Sequence, residues 1–289
     1  VSERTFVKFT FIKVDASWRR RPAPARARDK REFAAACRHF GEGNFLRTYS
    51  LVGTRGDADL MVRAASPTLD PIHELHVLLN QTGLMRWAEI SHSYLAMTKP
   101  SPYSYSEEER PLAPRPNEGG RYLIVYPMWK KREWYLLPAE ERMRIMRSHI
   151  EVGRRYTSID INTAYSYGLD DQEFVVSFDA DEPGDFLDLV HELRGTESSS
   201  YTLSETPIFT CLSASPERAL AALDGEATVA AEAAPAPAEP EAAPETEQAP
   251  EADAEPEVEP APEEPDAPSA GDGAEQPEPM TRRQLWRRS

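Results

Sequence analysis

The sequence predicts an α+β fold: two ferredoxin-like β-α-β-β-α-β units whose sheets combine into a β-barrel-like dimeric α+β arrangement, followed by a disordered C-terminal tail. Three observations predict it. Residues 1–223 run through the same succession of strand and helix patterns twice, a Pro/Gly-rich stretch at 98–120 separates the two passes, and the composition changes abruptly after Leu223. The expected boundaries are 1–110 and 111–223 for the two units, 224–279 for an Ala/Glu/Pro tether and 280–289 for a basic Arg/Trp terminal peptide.

Each unit opens with a strand. Thr5 to Val14 places Val7, Phe9 and Phe11 on one face, and Arg121 to Met128 reads Tyr-Leu-Ile-Val-Tyr after its first residue. An amphipathic helix follows, expected from about Asp29 to Phe40 in the first unit and from Pro138 to about Arg155 in the second, where Met143, Ile145, Met146 and Ile150 form the apolar stripe. Next comes a strand pair around a Gly/Asp turn, residues 50–64 and then 165–180. Asp70-Pro71 and Glu182-Pro183 mark the starts of the second helices, because proline fits the first helical turn. Their apolar faces are Ile72, Leu75, Leu78 and Leu79, and then Phe186, Leu189, Val190 and Leu193. Closing strands are expected at Ala88–Met97 and Pro207–Leu212.

The formal charge of −16 does not describe this body. Eighteen acidic residues and no Lys or Arg lie between Asp224 and Pro279, and four Arg fall in the last nine residues, which leaves residues 1–223 at −2. Such a nearly neutral body lacks the basic surface of a nucleic-acid binder. The tether carries 12 prolines and no aromatic residue, so it cannot bury enough apolar surface to offset chain entropy. Its tip, Met280-Thr281-Arg282-Arg283-Gln284-Leu285-Trp286-Arg287-Arg288, either docks on a protein or anionic-surface partner or folds back on the acidic tether. The chain is expected to be cytoplasmic: no transmembrane segment or signal-type apolar run occurs, and Cys37 and Cys211 are isolated thiols without metal-ligand spacing.

Short catalytic motifs are missing. There is no Gly-rich phosphate loop, Gly-x-Ser-x-Gly elbow or His-Glu-x-x-His. His73 and His76 have no third ligand close in sequence and read as a helix edge. The densest unusual run is 121–156, with Arg121 at a strand start and Trp129, Lys130, Lys131, Arg132, Trp134 and Tyr135 in the expected strand-to-helix connection. Cations interleaved with aromatics suit a flat, anionic, aromatic ligand. Equally, the rings pack on the sheet while the cations face water.

The runs YPMWKKREWYLLPAEER, MRSHIEVGRRY, YGLDDQEFVVSF and LVHELRGTESSSYTLSETPIFT resemble the chlorite dismutase family and, within it, its coproheme decarboxylase-like branch. The resemblance covers the body and leaves out the tail. It implies a homo-oligomer, commonly a pentamer, and a haem or coprohaem pocket in the second unit. It assigns Tyr135 as the radical-forming tyrosine of the Trp-Tyr-x-Leu-Pro motif and Arg121 as a propionate partner; Trp129, Lys130 and Lys131 of the basic and aromatic run, with Ser177, are the further candidate ligand-binding residues. It also implies peroxide-driven oxidative decarboxylation of iron coproporphyrin, in which the protein positions and tunes the porphyrin.

Two departures stand out. The axial His that the family places before the GLDD turn is absent, with Asn162, Thr163 and Tyr165 in the candidate region and His149 as the nearest substitute, in the preceding helix. The distal Arg of oxygen-evolving members is absent from Glu173–Phe178, which ranks chlorite chemistry low. The expected function is a haem-associated oxidoreductase closest to coproheme decarboxylase. The alternative is a family member without stable haem ligation that acts as an oligomeric binding or scaffolding protein through its tail.

Overall fold

The computed structural model describes residues 4–99, 103 and 120–225. The expected boundary at 110/111, the tether past Gly225 and the terminal peptide lie outside the described residues. The first repeat runs β1 (Phe6–Val14), α1 (Ala23–Gly41), β2 (Phe45–Ser50), β3 (Leu60–Ser66), α2 (Leu69–Gln81) and β4 (Ala88–Met97). The second runs β5 (Tyr122–Lys130), α3 (Arg132–Leu136), α4 (Ala139–Arg155), β6 (Ile159–Tyr165), β7 (Phe174–Ala180), α5 (Pro183–Arg194), α6 (Glu197–Ser200), β8 (Thr202–Ser204), β9 (Phe209–Ala214) and α7 (Pro216–Ala221).

Both passes of the expected pattern are present. The four main strands of each unit take the same antiparallel order, β4-β1-β3-β2 and β9-β5-β7-β6. The two sheets join through β2–β9, where Thr48, Tyr49 and Ser50 face Ala214, Ser213 and Leu212, and through the single pair Met97–Tyr165 of β4 and β6. One antiparallel sheet of nine strands therefore closes on itself, with β8 added outside the ring along β5.

Side-chain alternation sorts the strands into three cores. Val7, Phe9 and Phe11 point into the barrel and meet Tyr49, Met61, Leu123, Val125, Val175 and Phe209 from both units. The outer face of the first unit packs under α1 and α2 around Phe33, Leu75 and Leu79. The outer face of the second packs under α4 and α5 around Ile124, Tyr126, Val176, Phe178 and Leu189. A buried ion pair crosses the barrel: Arg63 of β3 reaches Asp179 of β7 at 3.5 Å, with Arg47 of β2 at 3.8 Å. Burial raises the Asp179 carboxyl above its usual range although both guanidiniums pull it down.

Helix α1 starts six residues before the expected Asp29. Pro24 in its first turn costs no hydrogen bond there, so the Ala/Arg run behind it joins the helix. The short α3 was not expected, and it takes up part of the predicted connection after β5. His76 is a structural residue, its ring nitrogens 2.8 Å from Thr10 Oγ1 and from the Ile72 carbonyl oxygen. Among the described residues no group of three His, Cys, Asp or Glu side chains could hold a metal ion, and no helix is long and apolar enough to cross a membrane. Both cysteines are buried.

The fold extends slightly beyond the expected limit at 223. Leu223 is buried against α1, and Asp224 accepts from Arg26 Nε at 2.9 Å and pairs with Lys30 at 3.1 Å. Truncation after Gly225 is expected to leave the melting temperature unchanged. Truncation after Ala222 removes a buried Leu and leaves Lys30 without that carboxylate, which should cost about 2–5 kcal/mol in a denaturant titration.

Candidate functional site

The site is built on β5, the strand hydrogen-bonded to β7 on one edge and to β9 and β8 on the other. Its approach depends on Gly120, because a Cβ there would collide with the Ala180 backbone. Arg121 follows, with its backbone N–H donated to Asp181 Oδ1 at 2.9 Å and its guanidinium 5.3 Å from the Tyr122 ring centre. At the far end Trp129 and Lys130 belong to the strand itself, and Lys131 opens the one-turn helix α3. The Lys131 N–H donates to the Tyr201 carbonyl at 2.8 Å, and Trp134 is buried against the Tyr201 ring at 5.4 Å. With Trp134 anchored, Tyr135 is turned toward the segment between β6 and β7.

That segment is a tight turn in which Gly168 takes a φ of +71°, a left-handed conformation that a side chain disfavours. The Tyr135 hydroxyl donates to Glu173 Oε2 at 2.6 Å and lies 3.1 Å from the Tyr167 hydroxyl. The same Glu173 oxygen accepts the Lys130 backbone N–H at 2.8 Å, and the Trp129 indole donates to the Asp171 carbonyl at 3.0 Å. Burial, and then the bonds to Glu173 and Tyr167, hold the Tyr135 phenol above the usual tyrosine range. Tyr165, Tyr167 and Phe174 continue the ring cluster at 5.1–6.3 Å.

The structure brings Trp129, Lys130 and Tyr135 together and leaves Arg121 apart. Arg121 and Lys130 bracket the whole of β5, about 30 Å at 3.3 Å per residue. Lys131 is exposed at the start of α3. Lys130 does not extend into open space: its ammonium is 3.2 Å from the Ser198 carbonyl, 3.2 Å from Thr202 Oγ1 and 5.2 Å from the Trp134 ring centre. Burial pulls its pKa down to about 8, although Glu205 and Glu173 act the other way.

Ser177 is buried and has the register of Val175, opposite Val125 and Asn162, so it faces the barrel interior rather than α4 and α5. On β6 the alternation turns Ile159, Ile161, Thr163 and Tyr165 toward α4, and none of these is an imidazole. His149, on α4, is half-buried with Nδ1 3.4 Å from Thr196 Oγ1. Burial, and then the Lys130 charge, lower its pKa to about 4, so its ring is neutral at pH 7.

Sequence reasoning missed Glu173 and Tyr167, the two partners of the Tyr135 hydroxyl. Tyr167 sits in what reads as an ordinary turn and Glu173 at the start of the strand expected after it, and only the bend that α3 imposes puts them within reach.

Because Lys130 has a folded pKa of about 8 against an unfolded value near 10.5, the unfolded chain binds more protons between those values. Raising the pH across that window should therefore increase stability. Lys130→Met should flatten the slope, which denaturant melts of both chains at about pH 7.5–10.5 would measure.

Comparison with known proteins agrees with this architecture. The family model described as chlorite dismutase matches residues 26–214. Coproheme decarboxylase from Mycolicibacterium smegmatis is 33% identical over 163 residues, 56% of this chain and 70% of that protein. A structure from Thermus thermophilus described as a novel heme-binding protein is 30% identical, covers 76% of this chain and 95% of its own, and has a TM-score of 0.69. Chlorite dismutase from Candidatus Nitrospira defluvii in complex with imidazole shares the fold at 22% identity, with a TM-score of 0.68 over 75% of this chain and 93% of its own. With the matched region spanning β-strands and helices of both units, this chain belongs to the chlorite dismutase family.

Proposed function

We propose that this chain is a haem-associated oxidoreductase of the coproheme decarboxylase kind, in which Tyr135 is the side chain that is oxidised. The observation that carries this reading is the Tyr135 phenol, held at 2.6 Å on a carboxylate within the Trp134–Pro138 segment. The relative from M. smegmatis, a coproheme decarboxylase, and the heme-binding protein from T. thermophilus support it.

The donor set suits the macrocycle better than it suits the family's usual iron ligation. Lys131 and Arg132 present exposed cations at the mouth of β5 for carboxylates, and Trp129, Tyr165, Tyr167 and Phe174 offer ring faces. For the iron, β6 supplies no nitrogen toward α4. Of the two imidazoles in 120–225, His191 is exposed and His149 is half-buried and neutral, the form that binds metal. Within 120–225, His149 is thus the residue that would ligate iron. Arg121 would serve a different carboxylate from those near Tyr135, because β5 separates the two.

An iron porphyrin bound here supplies a peroxide-activated one-electron oxidant. Tyr135 then gives up one electron and its phenolic proton. As a phenoxyl radical it takes a hydrogen atom from the β-carbon of a substrate propionate and so regains its O–H bond. A second electron passes from the substrate to the second oxidising equivalent of the same peroxide, and departure of carbon dioxide leaves a vinyl group. Lys130 keeps Trp134, and through it Tyr135, in place.

A second reading, a binding or scaffolding oligomer without stable haem ligation, is favoured by the bare β6. Assembly with further copies is part of either reading. Titration with ferric coproporphyrin and with haem separates the two. The enzyme reading expects a Soret shift at micromolar ligand, at least tenfold weaker binding in His149→Ala, and peroxide-dependent carbon dioxide release abolished in Tyr135→Phe. No Soret change would leave the scaffold reading in place.

A further inference from the structure

Oxidising a neutral phenol is difficult unless its proton leaves with the electron, because the phenol radical cation is a strong acid. A base within hydrogen-bond reach of the phenolic oxygen decides how fast this happens. Tyr135 has such a base in Glu173. The 2.6 Å separation is that of a charge-assisted O–H···O bond, shorter than the 3.1 Å to the Tyr167 hydroxyl.

Glu173 is also fixed in place from both sides. Its Oε2 accepts the Lys130 backbone N–H, its own N–H donates to the Met128 carbonyl at 3.3 Å, and its carbonyl accepts the Ser166 N–H at 2.8 Å. It sits between β5 and the Gly168 turn rather than at the end of a mobile arm. Its Oε2 is the acceptor in both side-chain contacts, so the phenolic hydrogen of Tyr135 already points at it.

We propose that Glu173 is the proton acceptor for Tyr135. When Tyr135 is oxidised, its O–H bond breaks, the electron passes to the one-electron oxidant, and the proton forms an O–H bond on Glu173 Oε2. The Tyr167 hydroxyl remains as a hydrogen-bond donor to the phenoxyl oxygen. Once the phenoxyl radical has taken a hydrogen atom from a substrate C–H bond, Tyr135 is again a phenol, and Glu173 releases its proton to solvent at the exposed edge of the turn. This role rests on the redox reading of Tyr135 given above, yet it can be measured without any porphyrin.

The test uses the full chain without porphyrin and a flash-generated ruthenium(III) polypyridyl as the oxidant, with the tyrosyl radical followed by absorbance and freeze-quench EPR. The component lost in Tyr135→Phe defines the Tyr135 signal. Glu173→Gln keeps an oxygen for the Lys130 N–H and for the phenol but cannot take up the proton, so the Tyr135 component should form about a hundredfold more slowly. Glu173→Asp should restore much of the rate, and thermal melts check that both variants are folded. Formation at the wild-type rate in Glu173→Gln, or a wild-type signal indifferent to Tyr135→Phe, overturns the proposal. Failure of the porphyrin titration alongside a slowed Glu173→Gln would refute the enzyme reading and leave the proton acceptor standing. Turnover with normal radical kinetics in Glu173→Gln would do the reverse.

Discussion

Strand β5 is hydrogen-bonded on both edges, to β7 on one side and to β9 and then β8 on the other, and the pleat of this one strand organises the second unit. Leu123 and Val125 turn into the barrel, where side chains from both units meet, while Ile124 and Tyr126 turn out to the core beneath α4 and α5. A slip of one residue would exchange these faces and unmake both cores, so the register is strongly specified. The same register delivers Trp129 and Lys130 to the end of the strand. There α3 bends the chain back, and the hydroxyl of Tyr135 comes to rest on Glu173.

The polar groups around Tyr135 are interlocked. The Lys130 backbone N–H goes to Glu173, its ammonium goes to α6 and β8, and the Trp129 indole goes to the turn that also carries Tyr167. The Lys130 bonds are partly buried, and each satisfies a donor that would otherwise be costly. Their combined effect is a tyrosine held in one orientation by rigid neighbours, which a positioned redox group requires. Lys130, which reads in the sequence as one more cation of a Lys/Arg run, is engaged by α6, β8 and the Trp134 ring. It holds its own unit together, and Lys131 and Arg132 are the cations left exposed.

Much of the fold was legible because periodicity and turn chemistry are local. The alternation of Val7, Phe9 and Phe11, the Pro-marked starts of α2 and α5, and the left-handed Gly168 turn all follow from residues within a few positions of one another. The presence of α3 escaped because it depends on anchors distant in sequence. Trp134 is held by Tyr201, and the Lys131 N–H by the Tyr201 carbonyl. The same holds for the end of the fold, where Asp224 reads as the first residue of an acidic tail until Arg26 and Lys30 are seen beside it.

By itself the sequence determined the repeated β-α-β-β-α-β pattern, the neutrality of the body against its acidic tail, and the absence of an imidazole before the GLDD turn. These are properties of composition and short-range order. Which faces those residues occupy was decided only by closure of the sheet. Pairing of β5 with β7 sends Ser177 into the barrel, the length of β5 places Arg121 far from Tyr135, and the return of the chain through α3 joins Tyr135 to Glu173 thirty-eight residues later. Such juxtapositions depend on strands meeting across long loops, and no local pattern encodes the partner on the other side.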